Sequence, residues 1–165
     1  MPLLIEELNP GRHDRRGFDC GVEPLNHYLH ALAAQHRAKG IATTFVLVDD
    51  TTPVQVLGYY TLSAATMVWG DLAQTDRRRL PTYPVPVARM GWLAVALAAR
   101  NRRFGELLLQ NAVKRLLAAR ETLGVYALVV DAKDDTAAGF YRKYGFRHTA
   151  PGGLEFYLPL GRGCA

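Results

Sequence analysis

Residues 89–132 constrain the fold more than any other part of the chain. RMGWLAV (89–95), FGELLLQNAVKRLLAAR (104–120) and GVYALVVDA (124–132) follow one another as strand, amphipathic helix and buried strand. Apolar side chains in 104–120 recur every three or four residues, the helical period, whereas 124–132 is a short apolar run bounded by glycine and charge. Two strands joined by a crossover helix lie parallel in one sheet, with a right-handed connection. The chain is thereby committed to an α/β (α+β) architecture in which helices cover a sheet.

The remaining segments fit around that unit. Residues 2–8 (PLLIEEL) read as a short strand. GVEPLNHYLHALAAQHRAKG (21–40) reads as a helix whose core face is Leu25, Tyr28, Leu29, Leu32 and Ala33, with Pro24 in its first turn and Gly40 ending it. TTFVLVD (43–49) and VQVLGYYTLSAATM (54–67) flank the turn-prone DDTTP and predict an antiparallel hairpin. WGDLAQTDRRRLPTYPVP (69–86) carries three prolines and a basic triplet, and predicts the one long loop, with a helical turn inside it. DDTAAGFYRKYGF (134–146) predicts a short helix and GLEFYLPL (153–160) a last strand.

A length of 165 residues suits one domain spanning 1–165. With 49% hydrophobic and 21% charged residues, neither a disordered chain nor a fibre is expected. No apolar run approaches the roughly 18 residues that cross a bilayer, and MPLLIEELNP lacks the basic-then-apolar pattern of a secretory leader, so no membrane association and a cytoplasmic location are expected. Cys20 and Cys164 lie near opposite ends without metal-ligand spacing, which argues against a disulfide framework, a metal site and a cysteine nucleophile. A formal charge of +5 favours polyanionic partners, although a solvated basic surface gives the same composition.

RNRRFGELLL (100–109) raises a chemical possibility. The first turn of a helix leaves backbone N–H groups unpaired at the positive end of its dipole, and together these hold phosphate. Basic residues before a helix are more often just solvated. The surrounding pattern decides how the stretch is read. LAV (93–95), a loop, a basic residue, a glycine and a helix resemble the acetyl-CoA motif of the GNAT-fold N-acetyltransferases, and VVDAKDDTAAGFYRKYGF (129–146) resembles their carboxy-terminal signature. With FDCGVEPLNHYL (18–29), GYYTLSA (58–64) and LPTYPVPVARMGWLAV (80–95), the resemblance runs over residues 15–160 and is to the GNAT toxins of bacterial type II toxin–antitoxin pairs.

The resemblance implies a GNAT fold: a mixed central sheet of about six to seven strands with about four helices, splayed between the fourth and fifth strands to admit the pantetheine arm of acetyl-CoA. It implies that Leu93, Ala94 and Val95 offer the strand edge for that arm. Arg100, Asn101, Arg102, Arg103, Phe104, Gly105 and Glu106 hold the pyrophosphate, and Ala137 and Phe140 flank the thiol end. Tyr141 is then the proton donor to the departing thiolate. Its alternative role is packing with Phe140, Tyr144 and Phe146. The chain departs from the family where the motif's first glycine is Arg103, whose Cβ opposes a positive φ or a close phosphate approach.

RMGWLAV offers no carboxylate to deprotonate an incoming amine. An α-amino group titrates near 8 and a lysine near 10.4, so an α-amine needs less help. Glu106 and the Asp131–Asp135 cluster remain conceivable bases through water. Resemblance to enzymes that acetylate aminoacyl-tRNA points the same way, with Arg77, Arg78, Arg79, Arg89 and Arg142 as candidate RNA contacts and Tyr83 as a stacking residue. The same resemblance implies a ribbon-helix-helix antitoxin partner and a homodimer. Two alternatives stay open: an N-acetyltransferase for a small amine or a protein N-terminus, and a degenerate domain that has lost acetyl-CoA and only binds a partner.

Overall fold

The computed structural model describes residues 2–149 and 153–161. Its elements are β1 (Leu3–Glu7), α1 (Glu23–His27), a π-helical turn (Tyr28–Leu32), α2 (Ala33–Ala38), β2 (Thr43–Asp49), β3 (Gly58–Met67), α3 (Gln74–Arg77), β4 (Val85–Met90), β5 (Leu93–Val95), α4 (Phe104–Ala119), β6 (Ala127–Asp131), α5 (Asp135–Lys143), β7 (Arg147–His148) and β8 (Glu155–Pro159). The strands run in the order β1-β2-β3-β4-β6-β8-β7, with β5 on β3 outside that path.

Two compact units emerge, one formed by residues up to Ser63 together with Gly91–Lys114, the other by Ala64–Met90 together with the residues from Arg115 on. In the first, β2 pairs antiparallel with β1 and β3, and β5 pairs antiparallel with β3. Its interior is built on Leu29, Val46, Leu47, Val48, Tyr59, Tyr60 and Leu108, all fully buried. Helical periodicity assigned Leu25, Tyr28, Leu29, Leu32 and Ala33 to the core; all are buried except Leu32, which is half-buried. The helix is interrupted midway, where Ala33 N–H bonds Tyr28 C=O, five residues back.

In the second unit β6 pairs parallel with β4 and antiparallel with β8, which carries β7 on its other side. Ala127, Leu128, Val129 and Val130 are buried on both faces, as a continuous apolar strand under helices requires.

The strand expected over 89–95 is two strands. β4 follows β6 from Val87 opposite Ala127 to Met90 opposite Val130, whereas β5 follows β3, from Leu93 opposite Tyr60 to Val95 opposite Gly58. Gly91 and Trp92 carry the change of partner. Trp92 N–H donates to Thr61 Oγ1, and its carbonyl accepts from Thr61 N–H, both at 3.1 Å. β4 also starts earlier than expected, inside the proline-rich stretch. Pro86 has no N–H to contribute, but its carbonyl accepts from Tyr126 N–H at 2.8 Å, so proline is tolerated at this strand start. β7, only two residues long, has no sequence signal of its own.

Candidate active site

The candidate phosphate-binding stretch belongs to the first unit, where packing dictates its path. Gly58 leaves no room for a Cβ, which would meet Ala94 O and Leu108 Cδ1 at 2.9 Å each, so β5 and α4 close tightly over β3. Beyond β5 the chain is tied down by Ala96 N–H to Leu57 C=O and Leu97 N–H to Asp19 C=O, both 2.8 Å. A 3₁₀ turn, Leu97–Ala99, ends at buried Ala99. Arg100 then reaches back, its guanidinium donating to Cys20 C=O at 3.2 Å. That charge also contributes to holding the Asp19 carboxyl below its ordinary value, after the hydrogen bonds from Gly21 and Asn26.

Asn101 and Arg103 both adopt left-handed backbone, at φ 66° and 60°, immediately before α4. The loop thus demands the conformation that glycine normally supplies, and Arg103 adopts it despite its Cβ. Asn101 was not anticipated as left-handed; its identity was a clue, because asparagine visits this region more readily than most residues. The Arg103 side chain is 80% exposed and directed along the helix, its Nε 3.9 Å from Glu106. The Arg102 guanidinium lies 4.7 Å from the Phe104 ring centre. Phe104 is buried and anchors the start of α4.

The acid candidate lies in the second unit. Asp134 caps α5 by accepting Ala137 N–H at 2.9 Å, and at the other end Gly145, at φ 89°, closes the helix. Gly145 N–H bonds Arg142 C=O and Phe146 N–H bonds Tyr141 C=O. These are the two bonds of a Schellman cap, which brings the residue after the glycine against the last inward-facing side chain of the helix. Here that contact is Phe146 on Tyr141, with ring centres 5.3 Å apart, and Phe140 lies at the same distance from Tyr141. The FYRKYGF pattern is therefore a helix terminator that fixes one phenol. Tyr141 is 6% exposed. Burial pushes its pKa up to about 12, and the charge of Asp131 adds to the effect.

Packing and chemistry are not exclusive for Tyr141. Its ring packs as the structural alternative required, while no hydrogen-bond partner occupies its hydroxyl among the described residues. Of the candidate bases, Asp135 is exposed in the first turn of α5, and the others are engaged elsewhere. Asp131 and Glu155 both bind Arg89, at 2.6 and 2.9 Å, Asp134 is the helix cap, and Glu106 faces Arg103.

The candidate RNA contacts differ among themselves. Half-buried Arg89 is held in the sheet by its two carboxylates, whose pull on its proton outweighs the effect of burial. Arg142 is exposed, donates to His148 Nε2 at 3.2 Å and lies over the Phe156 ring. Arg77 bonds Gly70 C=O at 3.3 Å and stacks over Trp69, whereas Arg78 and Arg79 are exposed. The segment bearing this triplet is pinned by a network that sequence reasoning missed. Buried Asp76 accepts from Arg147 and from the Tyr157 hydroxyl, and that hydroxyl accepts Ala73 N–H at 2.7 Å. Burial works against the Asp76 charge, but these donors outweigh it and lower the carboxyl's pKa.

Cys20 is buried, and Cys164 lies outside the described residues. Among the described residues no group of three His, Cys, Asp or Glu could hold a metal ion, and no helix is long and apolar enough to cross a membrane.

The chain is 32% identical over 145 residues, 88% of its length and 85% of the relative's, to the tRNA-acetylating toxin of Mycobacterium tuberculosis. The structure of AtaT complexed with acetyl-methionyl-tRNAfMet superposes with a TM-score of 0.88 at 27% identity, covering 96% of this chain and 95% of that one. A tyrosine-to-phenylalanine mutant of the AtaT toxin, bound to the C-terminus of the antitoxin AtaR and acetyl-CoA, gives a TM-score of 0.79 at 28% identity, over 96% and 93% of the two chains. Residues 41–148, well over half of the chain, match the model of the acetyltransferase (GNAT) domain, and the chain belongs to that family.

Proposed function

We propose that this chain transfers the acetyl group of acetyl-CoA to the α-amino group of aminoacyl-tRNA, and that it acts as the toxin of a toxin–antitoxin pair by blocking translation. The observation that carries the chemistry is the buried phenol of Tyr141, held near pKa 12 in a ring cluster by the α5 cap. The neutral amine attacks the thioester carbonyl, the C–S bond breaks, and the amine sheds one proton as the amide forms. Tyr141 meets the departing sulfur with its O–H. A thiol's ordinary pKa is near 8.5, so complete transfer from this phenol is uphill. Tyr141 therefore acts mainly by hydrogen-bonding the developing thiolate, which ends as the thiol once a proton arrives.

At the other end of the donor, Arg100 to Glu106 hold the pyrophosphate: the left-handed loop presents backbone N–H groups while Arg100, Arg102 and Arg103 supply charge. Leu93, Ala94 and Val95 offer strand backbone to the pantetheine amides, and Ala137 and Phe140 flank the thiol. With Asp131, Asp134 and Glu106 engaged and only exposed Asp135 left of the candidate bases, an acceptor that deprotonates readily is favoured, which points to an α-amine whose neighbouring ester carbonyl lowers its pKa. The relatives described as tRNA-acetylating and as bound to an acetylated aminoacyl-tRNA support the same acceptor. Arg78, Arg79 and Arg142 are the exposed cations best suited to phosphates. In this reading the protein works in the cytoplasm, as a homodimer, and is neutralised by a ribbon-helix-helix antitoxin.

Incubation with labelled acetyl-CoA and total charged tRNA, nuclease digestion and mass analysis test the proposal. Acetylated aminoacyl adenosine is the expected product. Label appearing only on free amines or protein N-termini would overturn it.

A further inference from the structure

We infer that Tyr83 is a stacking platform for the unpaired 3′ end of the tRNA substrate, a proposal that rests on the aminoacyl-tRNA reading above. The ring is 68% exposed, the most exposed large hydrophobic side chain among the described residues. It also lines two concave surfaces of the second unit. One, of about 450 Å³, continues over Leu80, Leu123 and Tyr126; the other, of about 410 Å³, runs along Val68 and Trp69. Val68 and Leu123 are themselves largely exposed, so a ridge of one aromatic ring stands between two apolar hollows.

The platform is rigid before anything binds. Prolines 81, 84 and 86 restrict the backbone on both sides of the ring, and Tyr83 N–H closes a tight turn onto Pro81 C=O at 2.8 Å. Trp69 is held by its ring N–H on Arg77 C=O and by the Arg77 guanidinium above it. The Asp76–Arg147–Tyr157 network fixes α3 next to it. An aromatic surface ordered in advance loses little entropy when a ligand stacks on it.

Charge selects the occupant. Residues 72–86 contain Arg77, Arg78 and Arg79 against a single acidic residue, Asp76, and that carboxylate already binds Arg147. Exposed cations four and five residues before an exposed ring are the arrangement that holds single-stranded nucleic acid, with phosphates on the cations and bases on the ring. The hollows are mainly apolar and offer few groups to read base edges, which suits an end that every tRNA shares. An added protein strand is disfavoured, because β4, the strand that follows Tyr83, already has neighbours on both sides in the sheet order.

The test measures binding of two uncharged probes to the full chain across a salt series: intact tRNA, and the same tRNA with its unpaired 3′ end removed. Tyr83→Ala is expected to weaken intact tRNA by roughly 10- to 100-fold, the range for losing one base–aromatic stack. It should leave both the trimmed probe and the salt slope unchanged, while Tyr83→Trp keeps the affinity. Arg78→Gln with Arg79→Gln should instead weaken both probes and flatten the salt slope. Equal affinity of wild type and Tyr83→Ala for intact tRNA overturns the platform and leaves the enzymatic reading standing. Failure of the wild type to bind either probe overturns both. Loss of a dimer in Tyr83→Ala, seen by light scattering, with tRNA affinity unchanged, makes this surface a protein interface and overturns the proposal as well.

Discussion

Replacing Arg103 by glycine separates two ways of reading the loop before α4. Arg103 sits at φ 60°, and an L-residue in that region carries about 1–2 kcal/mol of strain. Glycine removes the strain but adds freedom to the unfolded chain, which gives back about 0.4–1 kcal/mol. The Arg103–Glu106 pair is long and exposed, so its loss does not change the sign. Arg103→Gly should therefore be more stable by about 0.5 kcal/mol, a rise in melting temperature of roughly 1–2 °C for a chain of this length. Arg103→Ala is the control. It loses the same charge but keeps the Cβ, so it should be the less stable of the two.

Calorimetry with acetyl-CoA completes the argument. The backbone already follows the path a glycine would take and the guanidinium is turned toward solvent, so the wild type is expected to bind. Arg103→Gly then changes affinity by less than about tenfold, the scale of one solvent-exposed ion pair. Refutation would be a wild type that fails to bind and a glycine variant that binds, for the arginine would then block the coenzyme and the degenerate-domain alternative would hold. An alanine variant at least as stable as the glycine variant would refute the strain argument separately.

Tyr141→Phe should lower the rate of acetyl transfer roughly 10²-fold or more, with acetyl-CoA affinity little changed, in steady-state kinetics paired with calorimetry. Because burial holds that phenol near 12, the rate should climb with the titration of the acceptor amine between pH 6 and 9, with no descending limb there from Tyr141. Gly145→Ala places a Cβ at φ 89° in the α5 cap; about 1–2 kcal/mol of destabilisation, a fall of roughly 2–8 °C in melting temperature, is expected. Asp76 has a lowered pKa in the fold, so its contribution is present above the unfolded value near 3.9 and disappears as pH falls through the folded one. Asp76→Asn should accordingly be less stable at neutral pH and lose less on acidification, measured by urea melts from pH 7 to pH 3.

Periodicity carried most of the fold because most elements obey one local rule. α4 appears at 104–119 against an expected 104–120, and β6 within the apolar run of 124–132, since a helix face and a buried strand each leave a repeating mark. What escaped was set by tertiary pairing. No local pattern separates β4 from β5, because the break at Gly91–Trp92 exists only through Thr61 and a change of partner strand. The Asp76 pin joins residues 71 and 81 positions apart, beyond any window. Among the candidate site residues, the motif singled out Tyr141 and Arg103. It did not indicate that Arg89 would be consumed by Asp131 and Glu155, which requires the sheet register that sets those two carboxylates opposite each other.

The same pairing bears on which partner supplies each half of the proton chemistry. A general base must be an anion placed to accept a proton, and Asp131 and Glu155 are both paired with Arg89 instead. The Asp131 charge still reaches Tyr141, where it adds to burial in opposing formation of a phenolate. One arginine thus occupies two carboxylates of the sheet, while burial, helped by Asp131, keeps the Tyr141 phenol protonated. In the proposed mechanism the chain contributes a hydrogen-bond donor for the leaving sulfur, and the readiness of the amine to lose its proton falls to the substrate. On that mechanism selectivity for weakly basic amines is expected without any pocket that recognises them, since a strongly basic lysine amine would be almost wholly protonated at pH 7.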